Sequence, residues 1–389
     1  MNVLLCPLSD PGYLYPVIAI GRELHRRRYS VTLLGRAGSA PVAAAADLTF
    51  VPAESYGGVR AFGAGRWFDS GGAQFAAIVR AARESAAEVL VTSVLCHGAL
   101  LAGEVLDLPV VVVGLAAHLW TYQARADQDV LSPALREWRE RVIVGRYQRA
   151  REQAGLPARH DRSPWAPLVG SGLLLRGDPA LEVPGAVLPD GIRHVGPCWW
   201  EPAADPAEVE AVSARLDRVG KPVAYVHLGR IFQGRSLWPR LNAAFTDGPF
   251  QAVVEQGRSA DPQPAAGADI VLVRKPWMGP LVERAELVLT NATSAPVLGA
   301  LRAGRPLVVA PAGSEQPLLA AACLRAGVAV RFPDEVGPDP TTVLDAAWQD
   351  SELHARAGAL GTRLRAAGGQ VRAADLVQSL TGTRSTAAV

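Results

Sequence analysis

Lysine is almost absent from this chain of 389 residues: Lys221 and Lys275 are the only two among 39 cationic side chains. The arginine excess reads first as codon bias and second as a side chain whose planar fork suits phosphate. With a formal net charge of +2, it builds no general surface for nucleic acid or an anionic membrane. Cysteine is scarce too. Cys6, Cys96, Cys198 and Cys323 lie far apart and form no CxxC pair, which argues against a zinc site and a disulfide scaffold and for reduced, mostly buried thiols. Long apolar runs are missing: the most apolar stretch, Val105 to Ala117, contains Asp107 and Pro109 and is too short to span a bilayer. The opening MNVLLCPLSDPG has no basic region and reaches Pro and Gly too early for a secretory signal. The expectation is a soluble, cytoplasmic protein with no metal centre and no membrane or nucleic-acid partner.

Hydrophobic residues make up 49% and charged residues 20%, a composition that folds, and the length is too great for one ordinary core. Apolar runs alternate with helical spacings from the start. Asn2–Cys6, Ser30–Leu34, Leu48–Val51, Val89–Thr92, Pro109–Val113 and Gly172–Arg176 read as strands. Between them Pro16–Arg28, Gly72–Ala87 and Gly98–Asp107 read as helices, and Pro133–Gln153 as one long charged helix. Pro7–Gly12 reads as a loop. The rhythm breaks after His194-Val195-Gly196-Pro197 and restarts with strands at Pro222–Leu228, Gln251–Glu255, Ile270–Val273, Leu287–Thr290, Leu307–Ala310 and Val328–Phe332. Continuous Val/Leu runs mark strands buried on both faces, hence parallel, helix-covered sheets. The fold class is α/β, with two Rossmann-like doubly wound domains facing a central cleft. The expected divisions are residues 1–197, a linker at 198–210, a second domain at 211–372, and a helix end with a mobile tail at 373–389. Pattern alone names no reaction.

Several spaced motifs add to this. Glu286 to Val330 reads ELVLTNATSAPVLGALRAGRPLVVAPAGSEQPLLAAACLRAGVAV, and Gly12-Tyr13-Leu14-Tyr15-Pro16, His194-Val195-Gly196-Pro197 and Tyr225-Val226-His227-Leu228-Gly229-Arg230 stand in order before it. Together they resemble the antibiotic and macrolide glycosyltransferases, which use nucleotide sugars. The resemblance implies the glycosyltransferase-B fold and an inverting transfer of sugar from a nucleoside diphosphate, as co-substrate and without a further cofactor, to a natural product. It also implies roles. Glu315 and Gln316 would hold the donor sugar, and Asn291, Thr293, Ser294 and Arg230 would meet the diphosphate. Trp277 would stack on the base, and Tyr56, Phe62, Trp67, Phe68 and Trp120 would line an aromatic acceptor pocket. Packing in the core is the competing account for each aromatic.

The departures from that family are as informative. Its general-base histidine is Tyr13 here, and the Asp that orients the base is Ser93. A neutral phenol is a poor base near pH 7. Asp10, three residues before Tyr13, and His97, four after Ser93, are the substitutes the sequence offers, against an Asx-turn for Asp10 and helix capping or packing for His97. His227 is a further strand-end histidine. The diphosphate loop His-Gly-Gly has become Asn291-Ala292-Thr293, with Ala295-Pro296 opening the helix. Glycine is what allows backbone amides to approach phosphate closely, so an anion site here is narrowed. A turn blocked by its own side chains would count against a donor. The alternative reading is therefore a degenerate or repurposed member of the same fold: an auxiliary partner of an active transferase, or an enzyme that rearranges or cyclises a bound natural product without a donor. A homodimer fits either.

Overall fold

The structure, a computed structural model, describes residues 1–53, 70–115, 133–161, 163, 165–182, 188–228, 234–256, 264–313, 315–334 and 336–385. The chain forms two compact units, one of residues 1–179, 183–200 and 367–389 and one of residues 180–182 and 201–366.

The first unit is built on a parallel sheet of β1 (Asn2–Leu5), β2 (Ser30–Gly35), β3 (Thr49–Pro52), β4 (Val89–Ser93), β5 (Val110–Gly114), β6 (Gly172–Leu175) and β7 (Ile192–His194), ordered β3-β2-β1-β4-β5-β6-β7. Its helices are α1 (Pro11–Arg26), α2 (Ala40–Ala45), α3 (Gly71–Glu84), α4 (His97–Leu106) and α5 (Pro133–Gln153). Every residue of β4 and β5 is buried, as expected for strands covered on both faces. Leu14, Val17 and Ile18 of α1 close one face with Val3 and Leu5, and Ala99 and Ala102 of α4 close the other with Leu4 and Val112. The helices after β1 and β4 therefore diverge to opposite faces. That is where the strand order reverses, and in doubly wound sheets a crevice opens at this point beyond the strands' carboxyl ends.

The second unit repeats the plan with α6 (Pro206–Val219), β8 (Val223–His227), α7 (Gly234–Phe245), β9 (Gln251–Glu255), β10 (Ile270–Val273), α8 (Gly279–Arg284), β11 (Leu287–Thr290), α9 (Ser294–Arg302), β12 (Leu307–Val309), α10 (Gln316–Arg325), β13 (Ala329–Arg331), α11 (Pro340–Gln349) and α12 (Ser351–Ala366). Its sheet is parallel throughout, ordered β10-β9-β8-β11-β12-β13, so the order reverses between β8 and β11. No helix among the described residues is long and apolar enough to cross a membrane.

Strands β2, β3 and β5 shift by a residue or so, β7 and α2 escaped the sequence pattern, and three other differences change the organisation. Helix α1 begins at Pro11 and not at Pro16, because Asp10 caps it and a proline fits the first turn, where its missing N–H has no intrahelical partner to lose. Tyr13 thus stands on a helix. In the stretch expected to link the domains, Asp205 accepts a hydrogen bond from the Ala207 amide and starts α6 at Pro206. The last helix, α13 (Gly369–Ser385), packs on the first unit: Ala373, Ala374 and Val377 join its core, and Arg27 at the end of α1 reaches Asp375 at 2.7 Å. Helical spacing cannot say which sheet such a helix joins. The charged helix α5 covers the residues expected of it. Residues 386–389 of the tail lie outside the described residues.

Gly98 is needed for close helix packing. A Cβ there would lie 2.5 Å from Gln74 Cβ and 2.5 Å from the Phe75 amide nitrogen, so α3 and α4 can meet at this distance only without it. Gly98→Ala is expected to lower unfolding free energy by about 1–3 kcal/mol in chemical denaturation. An unchanged midpoint would contradict the close packing of α3 on α4.

Candidate functional site

At the first reversal point, polar side chains at the end of β4 and just past it fasten the loop that leaves β1. Ser93 Oγ accepts the Leu8 amide at 3.0 Å, Thr92 Oγ1 donates to the Cys6 carbonyl at 2.8 Å, and Cys96 Sγ donates to the same carbonyl at 3.4 Å. Ser93 therefore fixes the path of the chain into α1. Asp10 Oδ1 accepts the Gly12 amide at 3.1 Å and serves as the helix cap. Tyr13, in the first turn of α1, is half-buried and packs on the cluster that holds Cys6, Leu8, Val94 and Cys96. His97 opens α4 at 2% exposure, its ring edge-on to Tyr147 with centroids 5.9 Å apart. Burial, with Arg146 adding to it, holds its pKa down to about 4, so its imidazole is neutral near pH 7. The cavity beside it, lined by Ser93, His97, Leu100, Ile143 and Leu168 among others, has about 20 Å³, enough for one water and no acceptor.

Sequence reading missed Arg176. It follows β6 directly and is 4% exposed, with its amide bonded to the Gly114 carbonyl at 3.0 Å. Burial lowers its pKa, while Cys198 and Tyr13, both within electrostatic reach, counter that shift. The available signal was positional: a cation one residue past the carboxyl end of an apolar strand. All four cysteines are buried free thiols, and burial raises Cys96 to about 11 and Cys198 to about 12.

The second reversal point is fastened in the same manner. Asn291, 1% exposed just past β11, donates from Nδ2 to the Leu228 carbonyl past β8 at 2.6 Å. Its Oδ1 accepts Thr293 Oγ1 at 2.6 Å and the Thr293 amide at 3.3 Å. Ala292 between them has φ +64°, a left-handed conformation costly for any residue with a Cβ. The turn is thus filled by its own side chains, the outcome that counts against a diphosphate held as the resemblance implies. Pro296 has no amide proton, so the first turn of α9 lacks one of the N–H groups that a helix start presents to an anion. Past β12, Gln316 Oε1 accepts the Ala312 and Gly313 amides at 2.9 and 3.2 Å and shapes the loop before α10. Glu315 caps α10 at 9% exposure, with no side-chain hydrogen bond to another described residue.

Trp277 is 3% exposed and presents little face for a base. A second missed residue is Glu255: it is buried, stands level with His227 across β8 and β9, and accepts the Lys275 amide at 3.3 Å. The structure brings Asp10, Tyr13, Ser93 and His97 to the carboxyl ends of the first sheet, and Asn291, Thr293, Ser294, Glu315 and Gln316 to those of the second. Arg230, Tyr56, Phe62, Trp67, Phe68 and Trp120 lie outside the described residues.

No family model matches the chain. Over 178 residues it is 26% identical to the NDP-glycosyltransferase YjiC of Bacillus subtilis (strain 168), covering 44% of this chain and 45% of that protein. Over 220 residues it is 30% identical to the zeaxanthin glucosyltransferase of Pseudescherichia vulneris, covering 53% and 50%. The chain therefore spans about half the length of the curated relatives it matches. Among solved structures, the glycotransferase of kitacinnamycin is similar with TM-score 0.73 and 20% identity, over 97% of this chain and 98% of that one. A Streptomyces sp. SF2575 glycosyltransferase complexed with thymidine diphosphate gives TM-score 0.62 and 15% identity, over 97% and 98%. The fold is glycosyltransferase-B, and the chain resembles the antibiotic glycosyltransferases along nearly its whole length.

His97 carries a pH prediction. Because its folded pKa is about 4 against 6.5 for a free imidazole, the unfolded chain binds the proton first as pH falls. Its contribution is intact above pH 6.5 and is lost between 6.5 and about 4, by up to about 3 kcal/mol. Denaturation of wild type and His97→Phe over this range should show a steeper loss in wild type. Parallel curves would contradict a buried neutral histidine.

Proposed function

We propose that this chain transfers a sugar from a nucleoside diphosphate onto a hydroxyl or nitrogen of a natural product, by inverting displacement at the anomeric carbon. The observation that carries the reading is Glu315 beside Gln316 past β12: a largely buried carboxylate with no hydrogen bond from another described side chain, next to an amide whose Oε1 is engaged while its NH₂ remains able to donate. That pair suits the alternating donors and acceptors of a sugar ring. The diphosphate would meet the first turn of α9 with Arg230, and its approach would have to accommodate the Asn291 side chain. The aromatic residues Tyr56, Phe62, Trp67, Phe68 and Trp120 would hold the acceptor. Supporting the reading are the relatives, a zeaxanthin glucosyltransferase and an NDP-glycosyltransferase, and the thymidine diphosphate bound by one solved neighbour. Four buried free thiols suit the reducing cytoplasm.

Calorimetric titration with UDP, TDP and GDP tests this. Micromolar binding of one of them is expected. Glu315→Ala should weaken the matching nucleotide sugar about ten-fold and leave the bare nucleotide unchanged, the size of one hydrogen bond to a charged group. No binding of any of the three at millimolar concentration would overturn the proposal and favour the repurposed fold.

A further inference from the structure

A second concavity lies on the flank of the first unit. It has a volume of about 370 Å³, toward the lower end of the roughly 300–1,000 Å³ of small-molecule sites. Helix α1 from Ala19 to Arg26 lines it, with Asp47 in the turn before β3, Trp199 and Trp200 past β7, and Gln370 in the first turn of α13. All of these belong to the first unit. The stretch of α1 involved begins six positions beyond Tyr13 and lies roughly 9–20 Å further along the helix axis, at about 1.5 Å per residue, so the groove is separate from the crevice at the strands' carboxyl ends. Trp199 and Trp200 are partly exposed, and Trp200 is braced edge-on against Tyr15 with centroids 5.3 Å apart. The polar groups around them divide sharply. Glu23 is spent: Arg26 donates to its two oxygens at 2.7 and 2.8 Å, and Arg27 adds a third bond at 2.8 Å. The side chains of Arg22 and Gln370 have no hydrogen-bond or ion-pair partner among the described residues. The Asp47 side chain is 93% exposed and stands 4.0 Å from His25.

The groove therefore offers one cationic donor, one anionic acceptor and an amide that both donates and accepts, beside two aromatic rings. A ligand with a net charge would meet its own sign there as well as the opposite one. A neutral ring with an apolar C–H face and hydroxyls at its edge meets a partner on every side. The C–H hydrogens suit the negative face of an indole, and each hydroxyl both gives and takes a hydrogen bond. We propose that this groove is a second binding site of the chain, for a carbohydrate: the sugar ring of a neutral glycoside, with its C–H face on the tryptophans and its hydroxyls on Arg22, Asp47 and Gln370. The proposal does not depend on sugar transfer at the reversal points.

Saturation-transfer difference NMR with the methyl glycosides of glucose, mannose and rhamnose at millimolar concentration tests this. Saturation concentrated on the C–H face of at least one ring is expected. Arg22→Ala and Gln370→Ala, neither of which removes a partner of another described side chain, should each weaken that glycoside about three- to ten-fold, and Trp199→Ala should remove its signal. Glu315→Ala should leave it unchanged. No transfer to any of the three glycosides would overturn the proposal. So would transfer unchanged in both Arg22→Ala and Gln370→Ala, even if Trp199→Ala fails to fold. Benzoate bound more tightly than all three, and lost in Arg22→Ala, would make the groove an anion site and overturn it too. A signal lost in Glu315→Ala and kept in Arg22→Ala would put the sugar on the second unit, which overturns this proposal while supporting the donor reading.

Discussion

Each sheet is fastened where its strand order reverses, by a side chain at the end of one central strand bonded to the backbone leaving the other. In the first sheet Ser93 accepts the Leu8 amide, and in the second Asn291 donates to the Leu228 carbonyl. These are the points where helices diverge to opposite faces and leave backbone groups without ladder partners. A crevice there must either solvate those groups or satisfy them from within. This chain satisfies them from within, and the positions of the candidate groups follow. Ser93 sets the path into Asp10 and Tyr13, and Asn291 sets the turn that carries Thr293, Ser294 and the start of α9.

The same bonds decide which groups at each reversal point stay open to a ligand. Serine at the end of β4 carries no charge and holds the Leu8 amide instead. Asparagine past β11 fills its turn with its own amide, and Ala292 beside it adopts a left-handed conformation. Gln316 shapes its loop with one end of its amide only, which leaves the other end to donate.

The strands were legible because period and composition report burial directly. Val89–Thr92 and Pro109–Val113 read as strands buried on both faces, and every residue of the observed β4 and β5 is buried. Helix α1 was misplaced by five residues because Pro16 reads as a start, whereas Asp10 with Pro11 makes the better cap. The destination of α13 was not legible, since small apolar residues such as Ala373 and Ala374 fit any face. At the sites, positions along the sequence located Tyr13, Ser93, Asn291 and Glu315 but not their hydrogen-bond partners. Whether Asn291 meets a ligand or the Leu228 carbonyl depends on a contact 63 residues away. Arg176 and Glu255 escaped for a related reason, because each acquires its neighbours only when separate strands are laid in register.

A crystal structure of the chain with the nucleoside diphosphate it binds best tests the central claim most directly, that the second reversal point still takes a donor. The account predicts the diphosphate past the carboxyl ends of β8 and β11, at the start of α9, with the sugar end toward Glu315. Asn291 still bonded to Leu228 and a nucleotide seated elsewhere, or no nucleotide at all, would contradict it.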